Sequence, residues 1–149
     1  MIKLALLIFV AILLAACQPA ATGIPPTPSP DPLVEQISGK YLITVTQDDS
    51  AASPGIEAGD YSLKLQSDLR WFITDPSDPG WIATQGYYTV KTDHIVFKTT
   101  GGAMAAECVD KSGTYQWSLV GQSLTFTLVS DDCPGGKFLL PLHPFIKQP

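Results

Sequence analysis

Gly113-Thr-Tyr-Gln-Trp-Ser-Leu-Val-Gly-Gln-Ser-Leu-Thr-Phe-Thr-Leu128 is two alternating runs joined at Gly121-Gln122. In the first run Tyr115, Trp117 and Leu119 share one face, and Gln116, Ser118 and Val120 share the other. A period of two with one apolar face marks a strand that is wet on one side. Gly followed by a polar residue between two such runs is hairpin chemistry. The opening Gly-x-Tyr recurs at Gly39-Lys-Tyr41, Gly59-Asp-Tyr61 and Gly86-Tyr-Tyr88, and each copy leads an alternating run.

From these starts the chain reads as a series of strands. Reversals at Ser67-Asp68 and Thr92-Asp93 precede second strands over Leu69–Thr74 and His94–Thr99, as Gly121-Gln122 precedes Ser123–Ser130. Shorter strands are expected around Met104–Val109 and Lys137–Leu142, and no long helix is expected. The sum is an all-β antiparallel meander of eight to nine strands, a pattern of up-and-down barrels and of sandwiches. Gly and Tyr two apart point to the same face, so each glycine leaves a gap that a neighbouring ring can cover. Inward glycines also permit the bulges a small barrel needs at its corners.

The whole chain has 149 residues, 45% of them hydrophobic and 15% charged, which fits one folding domain with extensions. Its formal charge is 9 − 14 = −5. An acidic surface with scattered basic residues argues against a nucleic-acid partner.

The N-terminus supplies an address. Lys3 precedes an apolar run from Leu4 to Ala16 that is too short to span a bilayer and reads as a secretory signal peptide. Leu14-Ala-Ala-Cys17 resembles the lipobox of bacterial lipoproteins. The resemblance implies that Cys17 is diacylated and becomes the first mature residue, anchoring the protein to a membrane without spanning it. Gln18, where an Asp would resemble an inner-membrane retention signal, implies outer-membrane sorting wherever the envelope has one. Residues 17–31, with Pro at 19, 25, 26, 28 and 30, read as a lipidated, semi-rigid linker. The division expected is thus a signal peptide over 1–16, the linker over 17–31 and a β-barrel domain over 32–149. An ordinary signal peptide with an incidental cysteine is the competing reading.

Beyond the cytoplasmic membrane the remaining pair, Cys108 and Cys133, is expected to oxidise. Closing a loop of that size is worth roughly 3–4 kcal/mol.

Leu33-Val-Glu-Gln-Ile-Ser-Gly-Lys-Tyr-Leu-Ile43 resembles the opening of a lipocalin-type barrel, in which a short helical turn leads into Gly-x-Trp on the first strand. Tyr41 stands in the Trp place here. The later stretch from Cys108 to Cys133 is similar to small lipocalin-like domains of bacterial secreted proteins. The resemblance implies a small closed barrel and a basic side chain from the last strand lying over the Tyr41 ring. The one arginine, Arg70, is wrongly placed for that, so Lys137 is the expected substitute.

A lipocalin-like barrel either holds a small apolar or amphipathic ligand or fills with its own side chains. The candidate lining is Tyr61, Trp71, Tyr88, Tyr115, Trp117 and Phe126. Trp81, in the turn-rich stretch Asp75–Trp81, is expected to lid the barrel or face solvent as a recognition residue. No nucleophile motif accompanies His94 or His143, so no catalytic residue, metal or cofactor is expected. Asp48-Asp49 and Asp131-Asp132 read as solvated turn residues. The two function classes are a ligand-binding, membrane-anchored monomer and an interaction lipoprotein with a packed barrel that engages a protein or envelope polymer through its loops.

Overall fold

A computed structural model describes residues 31–149 apart from 54 and 76. The expected signal peptide, Cys17 and all of the expected linker but Asp31 lie outside the described residues. Eight strands form the domain: β1 (Gly39–Val45), β2 (Gly59–Leu65), β3 (Arg70–Asp75), β4 (Asp78–Val90), β5 (Ile95–Gly101), β6 (Ser112–Val120), β7 (Ser123–Asp131) and β8 (Phe145–Lys147). Each pairs antiparallel with the next, and β8 returns to β1, so the meander closes into a barrel. Closure removes the exposed edges that an open sheet would leave. The arrangement is consistent with a lipocalin-like fold.

Among the described residues, three helices of six residues each accompany the meander: α1 (Pro32–Ile37), which precedes β1, α2 (Gln47–Ala52) and α3 (Pro134–Leu139). Asp31 caps α1 by accepting from the Leu33 N–H at 2.9 Å, and Pro32 occupies the first turn, where its missing N–H costs nothing. A reciprocal capping box between Thr46 and Asp49 starts α2.

Because the strands alternate direction, their connections alternate between the two ends of the barrel. The tight turns at 66–69, 91–94 and 121–122 share one end with α1, whose Val34 and Ile37 are buried there. The long connections over 46–58, 102–111 and 132–144 share the other. The chain therefore enters from Asp31 at the capped end, and the long loops surround the opposite end, about 20 Å away by strand length.

The predicted faces are observed. Tyr41, Ile43 and Val45 of β1, Leu63 and Leu65 of β2 and Tyr88 and Val90 of β4 are buried. Phe97 of β5 is the hub of the core. Its ring centroid lies 5.3 Å from that of Trp71, 5.7 Å from Phe126, 6.0 Å from Tyr115 and 6.4 Å from Tyr88. Each of three wholly buried tyrosines satisfies its hydroxyl: Tyr41 donates to the Ile37 carbonyl and Tyr88 to the Gln66 carbonyl, both at 2.7 Å, while Tyr115 donates to Asp131.

The structure corrects several expectations. Residues 104–109 form turns and not a strand. Amides of Ala105, Cys108 and Val109 bond back three or four residues, which suits an Ala-rich stretch without alternation. Residues 137–142 begin in α3, after the helix-compatible Pro134, and the last strand is the three-residue β8. Trp81 lies within β4 and not in a loop, because β4 already begins at Asp78, which pairs with Asp75 of β3. Asp48 and Asp49 belong to α2, and Asp131 is buried. The basic side chain over Tyr41 is Lys147 and not Lys137, with its Nζ 5.6 Å from the ring centroid. Lys147 is on β8, which pairs directly with Tyr41, whereas Lys137 is on α3 at the opposite end.

The four Gly-x-Tyr copies divide. Those at Gly39, Gly59 and Gly113 stand at or next to a strand start, but Gly86 sits in the middle of β4. A Cβ at Gly86 would lie 2.9 Å from both the Lys98 carbonyl carbon and the Trp71 indole nitrogen. A Cβ at Gly113 would lie 2.6 Å from the Asp131 carboxyl carbon and 2.8 Å from the Tyr115 ring. At these two positions glycine is required by close approach.

Candidate functional site

Inside the long-loop end is a cavity of about 420 Å³. Trp71 and Ile73 of β3, Ala83 of β4, and Phe97 and Thr99 of β5 line its depth, and all five are buried. Met104 and Glu107 of the β5–β6 loop and Gly135 of α3 are exposed and carry the cavity out to solvent. Its size is that of pockets that enclose small ligands, and the lining is mostly apolar.

The lower half of the barrel explains why the cavity stops where it does. Tyr88, Tyr115 and Phe126 are buried there and pack around Phe97 as edge-on or tilted rings. Trp71 is held at the boundary by its indole N–H, which donates to the Tyr87 carbonyl at 3.1 Å across the gap left by Gly86. The disulfide Cys108–Cys133, the pair expected from the sequence, joins the β5–β6 and β7–β8 loops in the cavity wall, with Cα atoms 5.0 Å apart.

One ionisable group is built into the depth. Asp131 is 8% exposed and lines the cavity. One carboxylate oxygen accepts from the Tyr115 hydroxyl, and the other accepts from the Cys133 N–H at 2.6 Å. Burial, then the hydrogen bond and charge of Asp131, push the Tyr115 hydroxyl far above its ordinary range, so it stays a donor. Gly113 and Gly136 flank the carboxylate, and a Cβ on either would collide with it.

At the mouth is a second recess of about 300 Å³, lined by Glu57, Asp60, Asp75 and Trp81 and sharing Tyr61 and Met104 with the cavity. The Tyr61 hydroxyl donates to the Glu57 carbonyl at 2.8 Å.

Of the seven aromatic residues expected to line a binding site, Tyr61 and Trp71 line the cavity and Trp81 lines the recess beside it. Tyr88, Tyr115 and Phe126 are in the packed half. Trp117 is half-buried, and its indole N–H donates to the Lys91 carbonyl at 2.8 Å, at the capped end. Sequence reading missed Phe97 and Thr99, although their alternation with Ile95 carries the signal. It also missed Asp131, for which sequence alternation points the wrong way. From Leu124 and Phe126 inward, strict alternation turns residue 131 outward. A bulge in the β6–β7 pairing, where Thr114 faces Ser130 but Tyr115 faces Leu128, inserts Val129 and re-aims Asp131 into the barrel.

Fold and cavity together define the protein as an eight-stranded, closed antiparallel barrel with one end packed and the other hollow. Protein-family models, curated proteins and solved structures were compared with the chain, and none matches.

Proposed function

We propose that the protein is a lipid-anchored, extracytoplasmic binding protein that takes a small, largely apolar molecule into the hollow end of its barrel. The observation that carries this reading is the apolar cavity over the Trp71–Phe97 floor, open at the end opposite the one where the chain enters. A stalk that begins at a diacylated Cys17 and joins at Asp31 would hold the capped end toward the membrane and the mouth away from it. The anchor itself rests on the resemblance of Leu14–Cys17 to a lipobox.

Native mass spectrometry of the full chain, purified from its own envelope, tests the binding function. A co-purifying small molecule, released on unfolding, is expected. An empty barrel whose tryptophan emission stays unchanged across lipids and small aromatics would refute it, and would turn attention to protein partners at Trp81 and Met104 on the rim. The Cys17→Ser variant tests the anchor: it is expected to leave the membrane fraction, and its retention there would refute lipidation.

A further inference from the structure

The polar inventory of the cavity and its mouth is one-sided. Among the described residues, no Lys, Arg or His lines either the cavity or the adjoining recess. The charged groups are all carboxylates: Asp131 in the depth, Glu107 on the rim, and Glu57, Asp60 and Asp75 around Trp81 in the recess. None of the five is in an ion pair among the described residues; the pairs there are Arg70–Asp68, His94–Asp93, Lys98–Asp110 and His143–Asp49. Hydroxyls and amides neutralise nothing, so Thr44 on Asp60 and Ser77 on Asp75 leave the negative charge in place.

Asp131 has the features of a built anchor. It is fixed by Tyr115 and the Cys133 amide, one donor on each oxygen. A carboxylate offers about four lone-pair sites, so acceptor capacity remains on the side that faces the cavity. Two glycines make the space in which it sits. In apolar surroundings its charge is poorly screened, so it attracts a cation strongly and repels an anion equally. The acidic recess at the mouth extends the same preference outward, raising the local concentration of cations, and the Trp81 ring there offers a face to an ammonium group.

We infer that the ligand is an apolar or aromatic molecule bearing a protonated amine, its body on the Trp71–Phe97 floor and its ammonium on Asp131. This rests on the reading of the cavity as a binding site. Fatty acids and other apolar anions are the class it excludes.

The test uses three molecules with one carbon skeleton: 4-phenylbutylamine, 4-phenylbutanol and 4-phenylbutyrate. Each is titrated calorimetrically into the full chain in a nonionic micelle, with the empty micelle as blank. The amine is expected to bind at least about tenfold more tightly than the alcohol, the worth of one charge-assisted hydrogen bond, and the butyrate more weakly than either. Asp131→Asn, nearly isosteric and able to keep both neighbours hydrogen-bonded, is expected to bring the amine to within about threefold of the alcohol. The ranking in the unaltered chain stands even if that variant fails to fold. Equal binding of all three, or tighter butyrate binding, overturns the amine inference and leaves the binding reading intact. An amine preference that survives in a folded Asp131→Asn chain removes Asp131 as the anchor. No saturable binding by any of the three overturns the amine inference; with an empty native barrel, it overturns the binding reading too.

Discussion

Gly113→Ala puts the opening motif to a direct test. The added methyl would overlap the Asp131 carboxyl carbon at 2.6 Å and the Tyr115 ring at 2.8 Å. Neither neighbour is a free side-chain end, since Tyr115 is fully buried and each is hydrogen-bonded to the other. Relief by backbone shift costs about 1–3 kcal/mol, as overpacking does elsewhere. Relief by separating the pair forfeits a hydrogen bond to a charged acceptor, about 1.5–3 kcal/mol. Both occur in part, so a loss of about 3 kcal/mol is expected from a total of about 5–15 kcal/mol. With a urea slope of about 2 kcal/mol per M, the midpoint falls by about 1.5 M. Gly101→Ala is the internal control. A Cβ there meets only the Gln85 side-chain nitrogen at 3.8 Å, so its midpoint should move by less than about 0.3 M. A Gly113→Ala midpoint within that same range would refute the close packing of Tyr115 on Asp131 and the account of the motif built on it.

Three further outcomes follow from the packing. Burial, followed by the charge of Tyr88, raises the Tyr41 hydroxyl to about 12, and burial is the first cause of the upward shifts of Tyr88 and Tyr115. Their folded values exceed the unfolded 10.0, so the unfolded chain loses protons first and stability falls as pH rises from about 10 toward 12. Absorbance at 295 nm should show these rings ionising only as the barrel unfolds; early, reversible ionisation of all five tyrosines would contradict their burial. At the acid end the Thr46 hydroxyl and N–H, then His143, hold Asp49 down to about 2 from 3.8. A depressed acid stabilises above its unfolded value, so the α2 cap is intact above about pH 4 and lost as pH falls through 2. Carboxyl NMR should place the Asp49 midpoint near 2, and a midpoint near 4 would dissolve the capping box. Replacing Cys108 and Cys133 by Ala together reopens a loop spanning 25 residues and should cost about 3–4 kcal/mol in urea unfolding. A loss below about 1 kcal/mol would mean that the loops are already held by packing alone.

Much of the architecture is legible in the strands because alternation is a local property. Tyr41, Leu63 and Tyr88 could be assigned to the inner face without a structure, since a period of two leaves no other arrangement that buries them. Helices were harder to read. Pro134-Gly-Gly-Lys-Phe-Leu139 has too few residues for a helical periodicity to register, and its helix follows from the docking of Leu139 and Leu140 into the core. Lys147 over Tyr41 was missed for a related reason, because a three-residue β8 offers no alternation by which to recognise a strand.

The sequence by itself determined that the chain is a β-meander and which faces of its strands are apolar. Those are consequences of residue type and spacing along the chain. Tertiary structure decided that the upper half stays hollow while Phe97 and its neighbours fill the lower half. It also decided that Asp131 faces the hollow. That orientation depends on one bulged residue, Val129, whose insertion is set by the register between β6 and β7. A register is a relation between two strands, and neither strand carries it alone.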